Sequence, residues 1–481
     1  MLDDGARVRE PPVRCGVPGD IEQIPAGRAA KQLNGYMSLG RAEYLLRRRL
    51  PLTTNNLSCS KRQWAAVGIA SASALATLNG YRPLSNSGTS SILSFAAGLV
   101  TTELPLQSLA FETGLLGLLA RFTPPGTRQV AGLLWGASCL GLVGLNRAGR
   151  SADASLTAAL DDGLGPGRRT EVDTVWTRPS SHGGTAKRPG VVRMMRVYRD
   201  YVHDADIPYG PHGRANHLDI WRRPDLDRAG RAPVLLQIPG GAWATGSKRG
   251  QAHPLMSHLA ELGWVCVSIN YRLSPRNTWP DQIVDVKRAI AWVKTHITDY
   301  GGDPDFVAVT GGSAGGHLSA LAALTADDAG LQPGFEDADT AVQAAIPFYG
   351  VYDFTRTDSA LHPIMVPFLE RLVVKRRRRD TPEVYAGASP ITHVGPDAPP
   401  FFVLHGRNDS FIPVEQARSF VDRLRNASAQ QVVYAELPFA QHAFDIFGSA
   451  RAGHSAVAAG QFLAEIYTRR MTYGEVRSCG S

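Results

Sequence analysis

Cysteine is scarce in this chain: five among 481 residues, at positions 15, 59, 139, 266 and 479, with no CxxC pair. An odd, scattered set excludes a disulfide framework and a zinc cluster. Cys139 and Cys266 sit in apolar runs, where a thiol is an ordinary small hydrophobe. A dominant charge sign is missing too. Fifty-one basic and 43 acidic side chains leave a net +8 over a large molecule, too dilute for a nucleic-acid-binding surface. No apolar segment follows Met1, so a conventional signal peptide is not expected at that start. With 43% hydrophobic and 20% charged residues the composition excludes collagen, a coiled coil and a wholly disordered chain. A chain of this length buries enough surface to fold without metal or disulfide staples.

Charge is most depleted between Gln63 and Asn146. Those 84 residues hold only Arg82, Glu103, Glu112, Arg121 and Arg128, where the chain average of 20% would supply about seventeen. Uncharged stretches run from Gln63 to Tyr81, Pro83 to Thr102 and Gln129 to Asn146, each near the length that crosses a bilayer as a helix. The first is mostly Ala and Ser. The third, rich in Leu around Trp135, is the best span. Membrane association is expected, with a soluble helical layer as the alternative. The flanking clusters Arg47, Arg48, Arg49, Lys61, Arg62 and Arg147, Arg150, Arg168, Arg169 favour an even number of spans and a cytoplasmic catalytic domain.

Around this region, residues 1–62 read as a basic, disordered leader and 147–194 as a Gly-, Ser-, Arg- and Asp-rich linker with short helical pieces. From about 195 to 470 short β-type runs alternate with helical patterns, leaving 471–481 as a tail. The expected strands are Val197 to Val202, His217 to Trp221, Val234 to Ile238, Trp264 to Asn270, Phe306 to Thr310, Val342 to Tyr349, Phe401 to His405 and Gln431 to Leu437. Eight strands with interleaved helices predict an α/β fold with a mostly parallel sheet covered on both faces.

The chemistry concentrates at three strand ends. Phe306 to Thr310 runs into Gly311-Gly312-Ser313-Ala314-Gly315, a G-x-S-x-G between an apolar strand and a helix. Small residues allow the tight turn that exposes a serine, and the helix start adds N–H groups and partial positive charge. A serine hydroxyl needs a base held by a carboxylate. Asp409 follows the strand Phe401 to His405, and His442 follows Gln431 to Leu437. The order Ser313, Asp409, His442 suits this architecture, with His317 and His405 left to packing or supporting roles. Pro239-Gly240-Gly241-Ala242-Trp243 ends another strand, and Gly240, Gly241 and Ala314 are the expected oxyanion donors.

PGGAW at 239–243, NYRLSP at 270–275, GGSAGGHLSALAAL at 311–324, HGRNDSFIP at 405–413 and QHAF at 441–444 together carry a resemblance. The domain resembles the α/β-hydrolase esterase/lipase group similar to hormone-sensitive lipase, and specifically actinobacterial Lip-type carboxylesterases. The hydrophobic N-terminal half is also similar to that of some Lip-type proteins. The resemblance implies a serine ester hydrolase with no metal or organic cofactor, acting on a small-molecule or lipid ester. Amide cleavage or acyl transfer by the same triad, or a non-catalytic binding protein on this fold, are the alternatives.

Two departures stand out: Pro239 replaces the His that usually opens the oxyanion loop, and Gly312 replaces an acidic residue common before the serine. An insertion from Asp353 to Pro400 carries an apolar helical stretch, Leu361 to Leu372, and the basic run Lys375 to Arg379. It is expected to line the acyl pocket as a lid, with the basic run as a solvated helix end.

Overall fold

The computed structural model describes residues 54–166, 197–326 and 328–478. Eight strands form one sheet in the order β1-β2-β4-β3-β5-β6-β7-β8. They are β1 (Val202–Pro208), β2 (His217–Trp221), β3 (Ala232–Ile238), β4 (Val265–Ile269), β5 (Gly302–Gly312), β6 (Ala344–Phe348), β7 (Phe401–Gly406) and β8 (Val432–Leu437). β1 and β2 join antiparallel, and every pairing from β4 to β8 is parallel. The central strands are buried on both faces, so their sequences are continuous apolar runs.

The two-residue period sorts their side chains. Val234, Leu236 and Ile238 enter one core with Val265, Val267 and Ile269, while Leu235 and Cys266 enter the other. Over the first face lie α7 (Asp281–His296), α8 (Ala314–Leu324) and α11 (Glu415–Ala427); over the second lie α5 (Ala152–Leu164), α6 (His253–Glu261) and α12 (Ala450–Ser478).

The opening strand begins later than expected. Val197 and Tyr201 are both buried and lie four residues apart in a helical turn, and the strand starts only at Val202. That i, i+4 spacing puts both on one helical face. The linker stretch, expected to hold only short helical pieces, contains a thirteen-residue helix packed on the sheet. Leu156 and Leu160 of α5 are buried in the second core, and a Cβ on Gly163 would lie 2.6 Å from Val433 Cγ2. Residues 167–194 of that linker lie outside the described residues, as do 1–53 of the leader, whose last residues belong to a helix starting at Thr54. The tail likewise continues α12 as far as Ser478.

Ahead of the sheet run α1 (Thr54–Tyr81), α2 (Ser90–Glu103), α3 (Pro105–Ala120) and α4 (Pro125–Arg150). Polar contacts knit α1, α3 and α4 together: Thr77 Oγ1 lies 2.8 Å from Ser138 Oγ, Ser138 donates to Glu112, and Tyr81 donates to the Gly141 carbonyl. Within the insertion a short helix α9 (Met365–Phe368) passes into a wide turn (Leu369–Val373), followed by α10 (Pro382–Gly387). The basic run is an exposed turn just after the wide turn, where Arg378 donates to the carbonyls of Phe354 and Arg356.

Candidate active site

Three strand ends converge at the carboxyl edge of the sheet. Ser313 follows β5 with φ 58° and ψ −119°, a left-handed conformation that costs a non-glycine residue on the order of 1–3 kcal/mol. The surrounding turn holds it there. Ser313 donates its N–H to Phe348 O at 3.0 Å, and His317 N–H donates to Ser313 O at 2.9 Å. A Cβ on Gly315 would sit 2.0 Å from Ile238 O, so only glycine lets α8 start this close to β3.

Asp409 and His442 meet as the sequence predicts. His442 Nδ1 lies 2.7 Å from Asp409 Oδ2, and both residues are buried. Asp409 Oδ1 also accepts N–H bonds from Phe411 at 2.9 Å and Ile412 at 2.7 Å. Burial alone would raise the Asp409 carboxyl. The charge of His442 and hydrogen bonds from His405 and His442 outweigh it and hold the group well below the usual carboxylate range. Asp409 is thus an ionised acceptor that can fix the imidazole. Among the described residues Ser313 Oγ forms no hydrogen bond to His442. Such bonds commonly tighten only with substrate bound.

The predicted oxyanion donors separate. Gly240 donates its N–H to Gln251 Oε1 at 2.7 Å, and Gln251 Nε2 returns a bond to Gly240 O. That N–H is committed, so Gly240 is set aside as a donor. Gly241 and Ala314 N–H have no partner among the described residues. Pro239 contributes its carbonyl, which accepts from Tyr271 at 2.9 Å, so the missing N–H leaves no donor unpaired.

Several supporting residues escaped sequence reasoning. Gln441 Oε1 accepts from Ser410 N–H at 2.7 Å and His442 N–H at 2.9 Å, tying the two catalytic loops together. Its place beside His442 was the only signal. Buried Tyr349 lies with its ring 4.7 Å from that of His442 and its hydroxyl on Asp445. A Cβ on Gly312 would come within 2.5 Å of the Tyr349 hydroxyl. The absence of an acidic residue at 312 therefore matches the ring behind it. His317, expected in a packing or supporting role, accepts from Trp243 Nε1 at 3.1 Å and donates from Nε2 to Ala388 O at 2.7 Å, linking the oxyanion loop to the insertion. Among the described residues no group of His, Cys, Asp and Glu could hold a metal ion.

A family model described as BD-FAE matches residues 218–424, a stretch with Ser313 and Asp409 that stops short of His442. LipM of Mycobacterium tuberculosis, described as a probable carboxylic ester hydrolase, is 66% identical over 406 residues, 84% of this chain and 94% of the relative. The chain belongs to the Lip carboxylic ester hydrolases. Esterase LipQ of the same organism is 55% identical over 336 residues (69% of this chain, 79% of LipQ), and esterase LipC is 47% identical over 290 (60% and 71%). The 406 residues shared with LipM exceed what residues 197–481 can supply. This Lip likeness therefore reaches into the N-terminal helices.

Proposed function

We propose that this Lip protein cleaves carboxylic esters through an acyl-enzyme on Ser313, with His442 as general base and acid and Asp409 as the group that orients it. The observation carrying this reading is the 2.7 Å Asp409–His442 bond at the same sheet edge as a serine held at φ 58°. His442 takes the Ser313 proton as the hydroxyl oxygen attacks the ester carbonyl. Gly241 and Ala314 N–H groups stabilise the oxyanion, while Gln251 and Gly240 hold the loop. His442 then returns the proton to the alcohol oxygen as the ester bond breaks. A water deprotonated by His442 releases the acid and restores Ser313. In a p-nitrophenyl ester assay Ser313→Ala should lose at least ~10³ in kcat. Retention of a third of the turnover would sink the assignment.

The same protein associates with a membrane through its N-terminal helices. Fourteen of the sixteen large apolar side chains exposed among the described residues lie between Trp64 and Leu140, including Leu93, Phe111, Leu133 and Leu140. Apolar surface so concentrated marks a lipid or partner contact. An 18-residue window within Pro125–Leu164, whose last part α5 packs on the sheet, is long and apolar enough to cross a bilayer, and Ser90–Glu103 with Pro105–Ala120 passes only as a pair bent by 99°. Basic residues on both sides of the helical region favour a cytoplasmic catalytic domain.

A further inference from the structure

Helix α2 is turned with its small and polar face toward the enzyme. Ser91, Phe95, Gly98 and Thr102 recur at helical spacing, and each reaches or faces inward, whereas Ile92, Leu93 and Val100 point outward. Ser91 Oγ lies 3.0 Å from His362 Nε2, and the Ser91 carbonyl accepts from Ser410 Oγ at 3.5 Å. A Cβ on Gly98 would lie 3.0 Å from Gln441 Nε2, the residue joining the catalytic loops. At the far end Glu103 forms a buried ion pair with Arg451 and accepts from Ser449 Oγ at 2.6 Å. One end of the helix is thus latched to the insertion and to the residue after Asp409, and the other to the start of α12, which follows the His442 loop.

Between the latches stands Phe95, its ring 5.9 Å from the His442 imidazole at 73° and 6.1 Å from Phe411. Three aromatic rings border that imidazole: Phe95, Phe411 and Tyr349. Tyr349 is buried, while Phe95 and Phe411 are partly exposed. The imidazole must hand its proton to the departing alkoxide, so the alcohol half of the ester lies within hydrogen-bond reach of it. Of the three rings, only the partly exposed Phe95 and Phe411 are open to such a group.

We propose that α2 walls the alcohol side of the ester site and that Phe95 sets which alcohols are accepted, a reading that rests on the Ser313–His442 assignment. The hydrophobic N-terminal region is then part of the substrate site as well as a membrane contact. A pocket discriminates among apolar groups by roughly 10–200-fold per methylene-sized change, so one aromatic ring is enough to set a preference.

The test uses the full chain in detergent and two ester sets. One keeps a butyryl acid and varies the alcohol from methyl through butyl to octyl; the other keeps p-nitrophenol and lengthens the acid. Phe95→Ala should raise kcat/KM for the octyl relative to the methyl ester by at least about tenfold, and Phe95→Trp should lower that ratio. The rank order of the acyl set should stay the same. Phe95→Leu, which preserves most of the packing, should move the alcohol ratio the same way by a smaller step. Equal scaling of both sets would reduce Phe95 to a packing residue, and a shift confined to the acyl set would place it on the wrong side; either overturns the proposal. Ser313→Ala run in parallel separates these outcomes from failure of the triad, because persistent hydrolysis there would indict the nucleophile instead.

Discussion

His317 shows how a single buried residue couples the site to stability. Its Nδ1 accepts an indole N–H, and an imidazolium could not accept that bond. Burial pushes this imidazole down to about 4 from its ordinary 6.5, with the Ala388 hydrogen bond opposing weakly. Between those values the unfolded chain binds a proton that the folded chain refuses. Its contribution is therefore complete above pH 6.5 and is lost progressively as pH falls toward 4, at about 1.4 kcal/mol per pH unit. Urea midpoints at pH 7, 6 and 5 should fall less steeply for His317→Gln than for the wild type. Equal slopes would show that His317 is not what titrates. His258, half-buried and pushed down to about 4 by desolvation, supplies a second, independent share of the acid loss in both proteins.

Residue by residue, legibility followed how local the cause was. Ser313, Asp409 and His442 were readable because each lies just past an apolar strand in a fixed chain order. Gly240 was not, because its N–H is taken by a glutamine eleven residues on, across a loop with no periodic signal. Phe95 was harder still: it is 347 positions from His442, and an aromatic in an apolar helix reads as core or membrane surface.

At the scale of elements, strands were legible and the helices before them only in part. Continuous apolar runs such as Val234 to Ile238 have one good solution, a strand buried on both faces. Residues 147–194 read as a linker with short helical pieces because Gly163, Gly165 and Gly167 signal turns, yet Leu156 and Leu160 commit residues 152–164 to the core. The charge-poor stretch containing α2 gave no hint of its inward face. Glu103 was visible only as an interruption, although it fixes that helix to Arg451 in a buried ion pair. Removing one partner of a buried pair leaves a charge stranded, which costs about 3–5 kcal/mol. Glu103→Ala should lower the urea midpoint accordingly, while Glu103→Leu with Arg451→Met should recover most of the loss. A single variant as stable as wild type would show that the latch contributes nothing.

For the molecule as a whole, the hydrolase half and the apolar helices form one working unit. Exposed Leu, Phe and Trp side chains gather on residues 64–140, while the only large apolar ones exposed among the described residues after them are Val457 and Met471. If that surface sits in lipid, the protein should sediment with membranes and stay there through high-salt and carbonate washes. Apolar contacts survive screening, whereas attachment by basic residues alone does not. Release by salt, or full recovery in the soluble fraction without detergent, would make the helices a packed layer over the enzyme and leave the esterase chemistry untouched.

That chemistry is tested most directly by covalent trapping. A fluorophosphonate reacts only with a serine whose hydroxyl is activated, so the full-length protein should acquire one adduct, and peptide mapping should put it on Ser313. His442→Ala should slow labelling by at least ~10³, since the base that creates the nucleophile is gone. An adduct on any other residue, or labelling of the His442→Ala protein at the wild-type rate, would contradict the assignment of the site.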